Sequence, residues 1–146
     1  MQPVTKERLT RYVSLKRENE NRLERLARMK SDAEMPAQRE PDGSQHTGSA
    51  GERMARSVER YMEYEDQIRP LISENEKEMA AIRAAVAALP DPMEREVLRL
   101  RYMDGDYCRM MKWREVALHI YGDDDAKDII AVQRLHGAAL ASLNFV

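Results

Sequence analysis

Asp123, Asp124 and Asp125 stand consecutively within WREVALHIYGDDDAKDIIAVQRLHGAAL, residues 113–140. Three adjacent carboxylates have two chemical uses: they can ligate a hard cation, or they can cap a helix and keep a turn in water. A calcium loop needs about twelve residues with an internal glycine and a terminal glutamate. No such pattern follows Asp123, so a capping turn is expected and no metal is assigned. Cys108 is the only cysteine, which excludes an internal disulfide and a cysteine-rich zinc site. Its thiol stands beside Arg109 and reads as a semi-buried bystander rather than a nucleophile. The three histidines, His46, His119 and His136, are scattered. There is no glycine-rich phosphate loop, nucleophile elbow or HExxH motif. No enzyme activity and no cofactor are therefore expected.

The elements around these residues read as helices. The chain has 146 residues, a formal net charge of −2, 34% charged and 5% aromatic residues, which suits long exposed helices better than a thick core. From Thr5 to Lys30 there is no glycine or proline, and Leu9, Tyr12, Leu15, Leu23, Leu26 and Met29 recur at helical spacings. Lys6 to Lys30 holds nine basic and four acidic residues, which reads first as a solvated face. Residues 31–52 collect prolines, glycines and small polar side chains and are expected to form a mobile loop.

From Arg53 to Leu89, alternate steps of four and three residues run through Met54, Val58, Tyr61, Glu65, Ile68, Ile72, Asn75, Met79, Ile82, Val86 and Leu89. Nine of these eleven positions are apolar, which is a heptad seam and requires a partner helix. The first helix is the nearest candidate. A homo-oligomer through the 54–89 seam is the rival. A fold-back at the middle of the loop would set Lys16 and Asn19 against Glu65, and Pro70 is expected to kink or break the second helix.

Beyond Leu89, Asp91 suits an N-cap and Pro92 a first helical position, with a helix to about Tyr102 ended by Gly105. A short helix is expected from Trp113 to Ile120 and a last one, capped by Asp128, to about Leu143. Val116, Ala117 and Ile120 precede the turn, and Val132, Leu135, Ala139 and Leu143 share one face after it. A small residue such as Ala117 allows the close crossing of a helix-turn-helix corner. The fold class is thus all-α: an antiparallel, coiled-coil-like helical hairpin over residues 1–89, then a tri-helical helix-turn-helix domain over residues 90–146.

The wording is more specific than the spacing. LPDPMEREVLRLRYMDG, WREVALHIYG and VQRLHGAAL resemble region 4 of sigma-70-type factors. They look closest to the phage-encoded sigma-region-4-like regulators of the RinA and ArpU type and to an allied phage family of unknown function. The resemblance implies a phage or prophage regulator of late-gene transcription, acting in the cytoplasm of a bacterial host on promoter DNA. It implies a final helix in the major groove, with Lys127, Ile130, Ala131, Gln133 and Arg134 as base-edge or backbone contacts. Lys112 and Arg114 would then hold phosphate, and His136 would reach a phosphate or pack inside. The arm would mediate self-association or contact RNA polymerase.

This chain departs from the family pattern. Ala117 and the pair Val132 and Leu135 are farther apart than usual by roughly five residues, which places GDDDA in a lengthened turn (a helix-turn-helix spacing expectation). From Pro90 to Val146 ten acidic residues stand against eight basic, a net of −2 where a strong DNA binder is normally basic. The alternative class is a non-enzymatic interaction or DNA-packaging component that keeps the shape and binds protein. No apolar run approaches the roughly 20 residues of a membrane span, and no signal-peptide core opens the sequence.

Overall fold

The computed structural model describes residues 3–34 and 50–144. Among them the chain is all-helical, with α1 at Lys6–Glu34, α2 at Ala50–Ala87, α3 at Pro92–Tyr102, α4 at Trp113–Tyr121 and α5 at Ala126–Asn144. No described helix is long and apolar enough to cross a membrane. The centre of the loop expected over 31–52 lies outside the described residues. Its margins are helical, because α1 continues to Glu34 and α2 begins at Ala50.

α1 starts where Thr5 accepts a hydrogen bond from the Arg8 N–H through Oγ1 (3.3 Å) and from the Leu9 N–H through its carbonyl (3.0 Å). Its covered face runs through Tyr12, Leu15, Asn19, Arg22, Leu26, Met29 and Ala33, in alternating steps of three and four. Leu23 is one residue out of phase and 51% exposed, so it does not belong to the seam. Every seam position from Val58 through Val86 on α2, and Leu89 just past its end, is buried or half-buried, whereas Met54 is exposed. Pro70 does not end α2. It lies on the exposed side, and the adjoining Ile68 and Ile72 turn inward, so packing offsets the lost backbone donor.

The described residues divide into two compact units, one of Asn19–Glu74 and one of the residues up to Glu18 together with those from Asn75 onward. They do not divide at Leu89 and Pro90, where the sequence reading puts the boundary. In the Asn19–Glu74 unit the helices run antiparallel. Lys30 pairs with Glu65 (3.7 Å), Arg25 lies over the Tyr64 ring (4.9 Å), and buried Asn19 donates from Nδ2 to the Ile72 carbonyl (3.4 Å). The expected partner of Asn19 was Glu65, seven residues earlier. A slip of one heptad leaves the same faces inside, so the repeat itself does not choose between the two registers.

The other unit closes one core from all five helices. Leu9 of α1, Ile82 of α2, Leu98 of α3, Val116 of α4 and Val132 of α5 are all fully buried in it. α5 packs against both α3 and α4, and α3 packs against α4. Asp91 caps α3 by accepting the Met93 N–H (2.8 Å), and Pro92 opens the helix as expected. Arg95 donates to the Leu89 (2.5 Å) and Pro90 (3.1 Å) carbonyls, tying the end of α2 to the next helix.

Gly105 does not end α3 through a left-handed turn, because its φ is −64°. The positive φ values fall instead on Tyr107 (57°) and Cys108 (53°), a conformation costly for side chains with a Cβ. Gly105 is required for space: a Cβ there would lie 1.8 Å from the Arg109 carbonyl oxygen. The strained segment is pinned by Arg17, which donates to the Cys108 carbonyl (2.9 Å), and by the Met111 N–H to Arg101 carbonyl bond (3.0 Å). Lys16 donates to the Met103 carbonyl at the end of α3 (3.1 Å), where a cation is favoured.

These assignments predict a clear order of losses in urea denaturation followed by circular dichroism. Leu98→Ala should cost about 3 kcal/mol and Gly105→Ala roughly 2 kcal/mol or more, since backbone must move to admit the methyl. Leu23→Ala should stay within about 0.5 kcal/mol. A Leu23→Ala loss as large as that of Leu98→Ala would contradict the assignment of faces.

Candidate nucleic-acid interface

α4 ends at Gly122, whose φ of 75° suits glycine and whose N–H returns to the Leu118 carbonyl (2.9 Å). α5 begins at Ala126, not at Asp128, and the Ile129 N–H bonds to the Asp125 carbonyl (3.0 Å). Only Gly122 to Asp125, four residues, link the two helices. The turn is therefore not lengthened as the spacing predicts. The additional residues form helix at the end of α4 and the start of α5, because Tyr121 and Ala126 both adopt helical geometry.

The aspartates consequently sit against the start of α5. Negative charge there is favoured by the unpaired N–H groups of the first turn. Asp123 accepts the Asp124 N–H (2.7 Å), which shapes the turn. The Asp125 carboxyl is held above its ordinary value by a hydrogen bond to Asp123 and by that neighbour's charge, with Asp128 adding to the effect. Carboxylate oxygens of Asp123, Asp125 and Asp128 lie within 4.8 Å of one another.

The residues expected to touch nucleic acid fall into three groups. On α5, Lys127, Ile130, Gln133 and Arg134 are exposed and Ala131 is half-buried. At about 100° per residue Lys127, Ile130 and Arg134 lie roughly opposite the buried face of Val132, His136, Ala139 and Leu143, while Gln133 and Ala131 lie on its two flanks. On or beside α4, Lys112 and Arg114 are exposed, but Arg114 is engaged: its Nη2 donates to Asp124 Oδ2 (3.0 Å). Sequence reasoning missed this pair, since the two residues belong to different elements and meet only because Gly122 reverses the chain.

His136 is the correction. It is 7% exposed, so it does not reach phosphate. Its Nε2 shares a hydrogen bond with the Tyr102 hydroxyl (2.7 Å), and its ring meets Trp113 edge to face at 4.9 Å. Arg101 covers the outer face of Trp113 at 4.1 Å and donates to the Met111 carbonyl. Burial, followed by the charges of Arg101 and Lys6, lowers the His136 pKa to about 4. The histidine is thus a neutral core residue joining α3, α4 and α5, as the packing alternative held.

Basic residues of α1 are also committed to the chain itself. Lys16 and Arg17 bind carbonyls, Arg11 pairs with Glu78 (3.3 Å) and Lys30 with Glu65. Large apolar side chains are exposed here too: Leu118 (44%) and Tyr121 (43%) on α4, and Ile130 (48%) among the candidate residues of α5.

A pH prediction follows from His136. Its folded pKa lies below the ordinary value, so the unfolded chain takes up the proton first as pH falls. The stabilisation is complete above about pH 6.5, is lost progressively toward about pH 4 and amounts to on the order of 2 kcal/mol. Thermal melts across that range should show the loss in the native chain and a flatter profile in His136→Gln. Equal slopes in both proteins would remove His136 as the cause.

Compared with protein-family models, curated proteins and solved structures, the chain has no significant match.

Proposed function

We propose that the chain is a non-enzymatic DNA-binding regulator, in which a helical-hairpin arm carries a helix-turn-helix formed by α4 and α5. The observation that carries this reading is the outward face of α5. It presents a cation at Lys127, an apolar contact at Ile130 and a guanidinium at Arg134, with an amide at Gln133 on its exposed flank, on a helix whose opposite side is buried. An exposed helix with those groups is suited to base edges and phosphates, the amide and guanidinium being the side chains that pair bidentately with purines. Lys112 and Arg114 extend the face toward phosphate. The phage setting and late-gene promoters come from the resemblance to sigma-region-4-like regulators. RNA polymerase and a second copy of the chain are the partners proposed for the arm. The acidic balance of the last 57 residues keeps intrinsic affinity low, so paired modules on one duplex would provide the necessary avidity.

A second reading is favoured by one observation. Leu118, Tyr121 and Ile130 are exposed large hydrophobics on α4 and α5. A protein partner would use them, and DNA would use chiefly the polar neighbours.

A mobility-shift titration of the full chain, on duplex from the locus that encodes it and over a series of salt concentrations, separates the two. The DNA reading expects affinity to fall steeply with salt. Arg134→Ala with Lys112→Ala should weaken binding by at least tenfold and flatten the salt slope by about one unit for each phosphate no longer held. Binding that survives the double substitution, or none at low salt, overturns it.

A further inference from the structure

Asp124 is the one aspartate of the turn that is half-buried; Asp123 and Asp125 are exposed. Its carboxylate receives the Arg114 guanidinium at 3.0 Å. The turn that holds it is built from specific contacts: the left-handed Gly122, the Asp123 carboxylate on the Asp124 N–H, and the Asp125 carbonyl on the Ile129 N–H. A carboxylate and a phosphate offer a guanidinium the same paired anionic oxygens. The Arg114 side chain is 65% exposed, so an incoming anion can reach it without unfolding anything.

We infer that in the free protein Asp124 occupies the place on Arg114 that a DNA phosphate takes in the complex, making the turn a self-inhibitory element of the interface. The inference rests on the DNA-binding reading above and describes how that same face is regulated. Each binding event exchanges one anion for another on Arg114. Contacts made elsewhere along α5 must therefore be good enough to drive the exchange. The cost is the same for every duplex whose phosphate displaces Asp124, so the turn lowers affinity uniformly.

The test is a double-mutant cycle in the full chain, read by DNA affinity at low salt. Asp123→Asn is the reference: it removes one charge from the same turn and keeps an oxygen for the Asp124 N–H. Asp124→Asn should tighten binding by up to about fivefold more than Asp123→Asn, the scale of one exposed ion pair. Asp124→Ser should do the same, and adding Arg114→Ala should erase the difference. The gain should be similar on every duplex whose phosphate engages Arg114, because the broken ion pair belongs to the free protein. Equal gains from the Asp123 and Asp124 substitutions, or a difference that persists without Arg114, overturns the inference and leaves the DNA reading standing. Absence of binding by every variant overturns both.

Discussion

Burial of Leu9 and Ile82 in one core with Leu98, Val116 and Val132 ties the start of the chain to its last three helices. α3, α4 and α5 are short or only modestly apolar, and a tri-helical cluster of this size buries little surface by itself. The outer part of α1 and the end of α2 supply the missing apolar face. Lys16 and Arg17 add directed contacts to the loop between α3 and α4. The strained Tyr107–Cys108 segment is tolerated because these contacts, with the tight packing at Gly105, determine its path.

The same core decides which groups remain at the surface. His136 is drawn in by Tyr102 and Trp113, with the Arg101 cation over the indole, and this packing sets the rotation of α5. With that rotation given, Lys127, Gln133 and Arg134 face outward. The acidic turn sits at the head of the same helix, where it stabilises the first turn and engages Arg114. Favourable charge at the helix start and the ion pair with Arg114 are therefore two consequences of one placement of charge.

Much of this was legible in the residues. Asp91 and Pro92 mark the start of α3 by their chemistry, because a cap and a preset φ are local properties. The α2 seam marks its inward face over more than thirty residues, because burial follows helical period. The outward face of α5 was legible in the same way, through the spacing of Val132, Ala139 and Leu143. Leu23 was misplaced because its spacing fits one helical template while the true seam, carrying Asn19 and Arg22, lies one residue away. The turn was read as too long because Ala117 and the pair Val132 and Leu135 are farther apart than the family spacing, and the extra residues were placed in the turn instead of in α4 and α5.

Helix identity, the Asp91–Pro92 start of α3 and the inward faces of α2 and α5 were determined by the sequence alone, since each depends on neighbours within a turn or two. Tertiary structure decided three further matters. It chose the heptad register that pairs Asn19 with Ile72, since a repeat is indifferent to a slip of its own length. It moved the unit boundary from residue 89 into the two long helices, since a core forms wherever apolar faces meet in space. It joined Arg114 to Asp124 and withdrew His136, since both outcomes depend on distances between separate helices, which no spacing along one chain encodes.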